Sequence, residues 1–438
     1  MIKLLLIVIF IGAINLFILP VRFYYNLLFL LGWGLLFFKF IRIDYLRSLR
    51  FNIGVRYYSY NLLILRFWIM GLCYIVLIKN NHTEKILFYL IIMILYLFFS
   101  VRNLLVFYLL YELRLIPIFI IVIYFGYNLE RLRAAYYMLI YTMILSLPLL
   151  IYVIVLYKME GRLRFEILKI KKIGLRDWTI VIIIGAFLVK IPIFILHIWL
   201  PKAHVEAPVY GSIILAAILL KLGRYGLLRI LELFYYKIIK YKIFIFRIGF
   251  VGRLIVCMVT LVQIDIKRLV AYSSVVHINL ILCSLFRITK IGFFRAYIVM
   301  ISHGLTSSGL FYIVNLFYER SSRRLLIFNK GVLSNLVSYS LWWFLLCCSN
   351  FSFPLSLGFI REIFILGVLI LIDKILLFYL VIVGFLSRAY SLYLFLIIFH
   401  GDRGGLYENF SRGRIKEFIV LFIHFFPLII LLMNIRLF

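Results

Sequence analysis

Six ionisable residues of both signs lie within long apolar stretches of this sequence, where a charge is costly. Inside a membrane, a charged side chain costs about 2.5–3.5 kcal/mol on insertion scales, so it needs a partner, water or a task. The six candidates are Glu112, Lys190, Lys221, His277, His303 and Glu362. Such a row of buried titratable groups indicates a path for protons or other cations.

The two lysines have the chemistry of a proton relay. An amine in a low-dielectric environment favours its neutral form, so Lys190 and Lys221 can gain and lose protons near neutral pH. Glu112, in LLVFYLLYELRLIPIFIIVIYF, needs a counter-ion, and a lysine on a neighbouring helix is the natural one. Lys190 and His197 are seven residues apart, which predicts a shared helix face. The alternatives are a static ion pair and a lysine that reaches the membrane surface.

The two histidines and the second glutamate suit the later steps of a relay. His277 in AYSSVVHINLIL and His303 in VMISHGLTSSGLFY have hydroxyl-bearing neighbours, and imidazole exchanges protons near neutral pH. The alternative for each is a packed, hydrogen-bonded histidine without a task. Glu362 is the candidate outlet. The alternative is that Glu362 and Arg361, which precedes it, simply lie at the start of a helix.

Composition defines the class of protein. Hydrophobic residues make up 66% of 438 positions and the mean hydropathy is +1.14, which predicts an all-α polytopic membrane protein. The 48 basic and 16 acidic residues give a net charge of +32. Without a soluble basic surface this charge excludes nucleic acid and favours anionic lipids such as cardiolipin. The spacing of the five cysteines indicates no metal site, and there is no dinucleotide or phosphate motif.

The apolar runs predict about fourteen membrane spans. A run of about 20 apolar residues is long enough to cross the hydrocarbon core. The twelfth span, 332–371, is interrupted near 350–354, and two short spans are the alternative. Prolines also interrupt the seventh near 192–201. The predicted spans are 1–19, 26–43, 60–78, 85–99, 104–125, 134–157, 178–200, 209–231, 243–262, 269–286, 292–317, 332–371, 375–399 and 418–431.

Four segments carry a family resemblance. KIPIFILHIWLPKAHVEAPVYGSIILAAILLKLGRYGLLRI resembles the signature of the subunit 4 family of NADH dehydrogenase, one of the antiporter-like membrane subunits of respiratory complex I. YELRLIPIFI, DIKRLVAYSSVVHINLIL and ISHGLTSSGLFYIVNLFYER extend the resemblance. Arg224 departs from it, because family members usually have GGYG where this chain has GRYG.

The resemblance implies a fold and a relay. It implies two inverted five-helix repeats, 85–232 and 242–399, between N-terminal helices 1–84 and a C-terminal segment 400–438. Glu112 would pair with Lys190, Lys221 would be the central relay, His277 and His303 would connect to the second half, and Glu362 would be the outlet. These roles would make the chain a proton-translocating subunit of NADH:ubiquinone reductase.

The resemblance also implies partners and a location. NADH, FMN, iron–sulfur clusters and ubiquinone would be bound elsewhere in the complex, with no cofactor in this chain. Subunits of the subunit 5 and subunit 2 types would be its neighbours. The expected location is the mitochondrial inner membrane, or alternatively a bacterial plasma membrane. A stand-alone cation/proton antiporter and a non-pumping structural subunit remain as alternatives.

Overall fold

The computed structural model describes most of the chain as helix. The described residues are 47–48, 53–54, 57–77, 81–126, 128–170, 177–333, 336–370, 375–401 and 413–434. The first two predicted spans, 1–19 and 26–43, lie outside these residues, so the total of fourteen stays a prediction. Each of the other twelve has a helical counterpart.

Two short strands precede the helices. Strands β1 (Arg47–Ser48) and β2 (Ile53–Gly54) pair antiparallel. The helices before the first long interruption are α1 (Tyr57–Val76), α2 (His82–Ser100), α3 (Leu104–Leu113), α4 (Leu115–Phe125), α5 (Arg131–Glu160), α6 (Phe165–Ile170) and α7 (Asp177–Lys190).

The remaining helices follow that interruption. They are α8 (Trp199–Glu206), α9 (Val209–Ile214), α10 (Leu220–Leu233), α11 (Tyr235–Ile238), α12 (Lys242–Leu261), α13 (Ile266–Leu285), α14 (Lys290–Ser321), α15 (Val337–Asn350), α16 (Leu357–Ile370), α17 (Ile375–Phe399) and α18 (Ile415–Met433). A π-helical segment, Leu215–Leu219, joins α9 to α10, and a 3₁₀ turn covers Leu326–Asn329.

Nine helical spans within the described residues are long and apolar enough to cross a membrane. This confirms the prediction of an all-α polytopic membrane protein. The chain divides into two units. The first unit comprises Met1–Lys190 and Glu206–Ile238, and the second comprises Ile191–Val205 and Ile239–Phe438.

Proline explains where three of the spans are interrupted. Pro117 cannot donate a backbone hydrogen bond to residue 113, and α3 gives way to α4 at Arg114. Pro192 disfavours helical backbone at the residue before it, and α7 ends at Lys190. Pro354 lies in the interval between α15 and α16, as the sequence predicts.

Left-handed backbone marks both of the longer interruptions. Ile195 has φ 85° between α7 and α8, and Ser352 has φ 72° between α15 and α16. Positive φ is costly for a β-branched residue such as Ile195, so the surrounding structure must hold it there. The prediction that Lys190 and His197 share a helix face is wrong, because the helix ends at Lys190.

One backbone arrangement occurs in both units. In the first, Leu104 N donates to Leu163 O and Phe165 N donates to Arg102 O, at 2.9 and 3.0 Å. The side chain of Asn103 caps α3 by accepting from Leu105 N.

The second unit repeats that arrangement at α13. Ile266 N donates to Arg324 O at 3.0 Å and Leu326 N donates to Ile264 O at 2.9 Å. Asp265 caps the helix by accepting from Lys267 N. The start of α13 is therefore held as the start of α3 is held.

Candidate functional site

The first unit brings Glu112 and Lys190 together. Lys190 Nζ lies 2.6 Å from Glu112 Oε1, and the lysine is completely buried. Glu112 lies at the end of α3, just before the interruption at Arg114, and Lys190 is the last residue of α7. A cation at a helix C-terminus also interacts favourably with the helix dipole. The ion pair predicted from the sequence is therefore present.

Aromatic and backbone groups complete the surroundings of Lys190. Its Nζ lies 3.8 Å from the centroid of the Tyr111 ring and donates to Tyr111 O at 3.4 Å. Glu112 Oε2 has no hydrogen-bond partner among the described residues. The carboxylate therefore keeps one oxygen available for a further donor such as water.

Lys221 is held by the π-helical segment. It is buried, and its Nζ donates to Ala216 O at 2.5 Å. A π-helical turn displaces backbone hydrogen bonds from their regular partners, which leaves carbonyls for other donors. The segment thus fixes the amine within the span and excludes a lysine that reaches the surface.

Arg114 is a residue that the sequence reasoning missed. The sequence places it two residues after Glu112, where a regular helix would turn it away. It is buried, and its Nε donates to Tyr111 O at 2.9 Å while Nη1 lies 3.4 Å from Leu219 O. Arg114 therefore joins the helix that carries Glu112 to the π-helical segment before Lys221. The signal that could have identified Arg114 is a cation within an apolar run, three residues before Pro117.

Arg224 lies one helical turn after Lys221 on α10. It is completely buried, and its three guanidinium nitrogens have no hydrogen-bond partner among the described residues. A fixed cation one turn from Lys221 repels a second positive charge there. The departure from the glycine-rich pattern therefore changes the electrostatics of this position.

The second unit brings His277 and His303 together. Their ring centroids are 5.6 Å apart, and both side chains are buried. His277 Nε2 lies 2.9 Å from Asn350 Oδ1. Because an amide oxygen only accepts, Nε2 carries the hydrogen in this arrangement. Asn350 is the last residue of α15, as Lys190 is the last residue of α7.

Polar contacts continue from Asn350 to Glu362 across the interruption of the twelfth span. Arg361 Nη2 donates to Asn350 O at 3.1 Å and to Ser352 Oγ at 2.6 Å. Ser352 Oγ in turn donates to Glu362 Oε1 at 2.8 Å, and Arg388 lies 3.8 Å from Glu362 Oε2. Asn350, Arg361 and Ser352 thus join the histidine pair to Glu362, the predicted outlet. The sequence predicted no role for Asn350 or Ser352.

Glu362 lies in the second turn of its helix. Helix α16 begins at Leu357, so neither Arg361 nor Glu362 is at the start that the sequence allowed. Within the described residues no group of three or more His, Cys, Asp or Glu side chains could hold a metal ion. The five cysteines are buried and free.

Comparison with known proteins assigns the chain to a family. The family model for NADH:quinone oxidoreductase/Mrp antiporter membrane proteins matches residues 101–387. The NADH-ubiquinone oxidoreductase chain 4 of Ceratitis capitata is 39% identical over 440 residues, which cover 99% of this chain and 98% of that protein. The chain belongs to the NADH-ubiquinone oxidoreductase chain 4 family. The chain 4 of Apis mellifera ligustica is 40% identical over 86% of this chain and 84% of its own length.

Solved structures share the fold of this chain 4 family member. A chain of respiratory complex I from Thermus thermophilus with bound NADH matches with a TM-score of 0.87 at 22% identity. The match covers 97% of this chain and 94% of that one. A chain of the archaeal membrane-bound sulfane sulfur reductase matches with a TM-score of 0.85 at 19% identity, covering 97% and 75%. At these identities the likeness is one of fold alone.

Proposed function

We propose that this chain is a membrane subunit of respiratory complex I that translocates protons, driven by electron transfer from NADH to ubiquinone in other subunits. The observation that carries the proposal is the buried ion pair between Lys190 Nζ and Glu112 Oε1 at 2.6 Å. The chain 4 relatives, which match almost the whole chain, support the assignment to the complex. NADH, FMN, iron–sulfur clusters and ubiquinone would be held by other subunits.

The first proposed step is the opening of the Glu112–Lys190 pair. While the pair is closed, the carboxylate stabilises the proton on Lys190. Opening it leaves a charged amine in a low-dielectric site and favours release of that proton towards Lys221. Breaking a buried pair costs about 3–5 kcal/mol, and moving one charge against 100 mV costs about 2.3 kcal/mol. The two free energies are similar, so the opening of one pair can drive the translocation of one proton.

The following steps use groups that each take up one proton and pass one on. Lys221 can hold its contact to Ala216 O in both protonation states, since a neutral amine still donates. We propose that the proton then passes through His277 and His303 to Glu362, with water filling the intervals. The contacts from His277 through Asn350, Arg361 and Ser352 to Glu362 support this order. Arg361 keeps its proton and acts by positioning its neighbours.

We also propose the organisation that the resemblance implies. The repeats 85–232 and 242–399 are supported by the backbone arrangement that recurs at α3 and α13. Subunits of the subunit 5 and subunit 2 types are the proposed neighbours, and anionic lipids such as cardiolipin would contact the basic loops. The animal relatives favour the mitochondrial inner membrane as the location.

The test is the proton-to-electron ratio of the assembled complex carrying Lys190→Ala. We expect quinone reduction to continue with fewer protons translocated per electron. The matched control is Lys169→Ala, because Lys169 is an exposed lysine of the same unit and should change neither quantity. A normal ratio at full turnover in Lys190→Ala would refute the proposal and favour a structural, non-pumping subunit.

A stand-alone cation/proton antiporter is the second candidate, because the family model also describes Mrp antiporters. Purification in mild detergent separates the two. A subunit of complex I should migrate with large partners, whereas an independent antiporter should migrate alone and exchange cations for protons in vesicles.

A further inference from the structure

Helix α14 carries a row of polar side chains that starts at His303 and continues through residues that the relay to Glu362 does not use. Ser308, Tyr312, Asn315 and Glu319 recur three or four residues apart, which places them on one face, whereas His303 and Ser307 lie one turn apart on another face of the helix. Over 16 residues a helix rises about 24 Å, so the row is long enough to leave the core of a membrane. Its members are His303, Ser307, Ser308, Tyr312, Asn315 and Glu319. All are buried except the last, which is exposed.

His424 on α18 lies beside the middle of this row. Its ring stacks with that of Tyr312 at 6.2 Å between centroids and 14° between planes. Gly309 permits this approach, because a Cβ there would lie 3.3 Å from His424 Cβ and 2.9 Å from Leu346 Cδ2. Helix α18 thus places an imidazole against Tyr312 and Gly309 of α14.

The hydrogen bonds of His424 fix its tautomer. Nδ1 lies 2.8 Å from Val420 O, and a carbonyl only accepts, so Nδ1 carries the hydrogen. The side chain is completely buried, and Nε2 has no hydrogen-bond partner among the described residues. A buried acceptor without a donor is destabilising, because its hydrogen bond to water is lost and not replaced. A residue that only anchored α18 would not need that nitrogen.

Carboxylates terminate the row. Asn315 Nδ2 donates to Glu319 Oε1 at 3.0 Å. Arg320 Nη2 donates to Glu417 Oε2 at 2.5 Å and to the Tyr339 hydroxyl at 2.9 Å. The Tyr339 hydroxyl donates to the same Glu417 oxygen.

Tyr312 links the imidazole to these carboxylates. The negative charges of Glu417 and Glu319 act on its hydroxyl. The side chains of Arg320 and Glu417 are largely buried, whereas Glu319 is exposed. The row therefore runs from a buried histidine to an acidic group at the surface.

We propose that His424 carries protons and that the α14 row is a second outlet, from His303 to Glu319 and Glu417, in parallel with Glu362. The inference rests on the proposed function. Water fills the one-turn intervals and donates to the serine oxygens, whose own hydrogens are given to His303 O and Leu305 O.

Each proton transfer in the α14 row balances. Water delivers a proton to His424 Nε2, which becomes an imidazolium and then returns to neutral by giving one proton onward. The Tyr312 hydroxyl accepts a proton on oxygen as it gives its own to a carboxylate. The carboxylic acid formed then releases the proton to surface water, and every group ends in its starting state.

The experiment measures protons translocated per electron in the assembled complex reconstituted into liposomes, with Glu362→Gln, His424→Leu and the double variant. With two parallel outlets, each single variant keeps part of the pumping that Lys221→Met removes, and the double variant loses all of it. A double variant that pumps as well as Glu362→Gln alone would overturn the second outlet. Normal pumping by Lys221→Met would instead overturn the proposed function itself.

A conservative variant separates proton transfer from packing at α18. His424→Asn keeps a donor for Val420 O at the place of Nδ1 but has no nitrogen that takes up a proton at neutral pH. In the Glu362→Gln background it should lose pumping as His424→Leu does, with normal assembly on a native gel. Full rescue by His424→Asn would show a structural role and overturn the proposal. Glu319→Gln tests the exposed end, and His400→Gln, at an exposed histidine, is the matched control that should change nothing.

Discussion

In both units, a helix that ends at an interrupted span presents a side chain to a buried partner, but the two pairs differ in charge. In the first, the helix that ends at an interrupted span presents Lys190 to Glu112, a charged pair. In the second, the helix that ends at the corresponding interruption presents Asn350 to His277, a neutral pair. A charged pair in a low dielectric must be opened by an external event, whereas a neutral imidazole exchanges protons near neutral pH while its amide partner only positions the ring. We propose that the first unit holds the trigger and the central lysine, and that the second unit holds the histidine relay.

Replacing Lys221, the proposed central relay, should have the largest effect on proton translocation. Lys221→Met leaves Ala216 O without the donor that Lys221 supplies and removes the amine that we propose to pass the proton on. Lys221→Arg keeps a donor there but cannot release a proton. We expect both variants to lose this subunit's share of pumping, measured as protons per electron, and the arginine variant to assemble normally.

The control for that prediction lies in the second unit. Lys267 is completely buried near the start of α13, and its Nζ lies 5.3 Å from the Tyr318 ring centroid. Lys267→Arg should pump normally, because the relay does not use it. If Lys221→Arg also pumps normally, the trigger and relay are not connected through Lys221.

Making the second pair ionic should have the next largest effect. Asn350→Asp places a carboxylate where Oδ1 lies 2.9 Å from His277 Nε2, so the proton would be held on the imidazole. We expect proton release to slow by roughly tenfold, equivalent to about 1.4 kcal/mol, while the complex still assembles. Stopped-flow pH measurements on proteoliposomes would report the rate. Unchanged release would show that a neutral pair is not required there.

Removing a helix cap should have the smallest effect, and the effect should be the same at both caps. Asn103→Ala and Asp265→Ala each remove a side-chain acceptor at the first turn of a helix. Each should cost about 1 kcal/mol of stability, since capping residues contribute about that much. Thermal unfolding of the purified complex would compare them. A loss at one cap but not the other would argue against equivalent positions in two repeats.

The sequence predicts the spans and their interruptions well, because both depend on local physics. Apolar length sets the spans, and the predicted 375–399 coincides with α17. Pro192 and Pro354 predict the interrupted helices, because proline removes a backbone donor. Membership of the chain 4 family is likewise confirmed by the relatives.

Contacts between distant segments are what the sequence predicts poorly. Arg114 looks misdirected on a regular helix, yet the interruption at that residue turns it towards Leu219 O, 105 positions away. Lys190 and His197 look aligned until the helix ends between them. The link through Asn350 and Ser352 depends on the left-handed backbone of Ser352, which no local sequence pattern predicts.

Infrared difference spectroscopy of the working complex would detect the proposed opening of the Glu112–Lys190 pair during turnover. We expect a change in carboxylate bands between rest and turnover that disappears in Glu112→Gln and in Lys190→Met. Bands that are the same in both variants as in the unsubstituted complex, with pumping under way, would contradict the proposed opening.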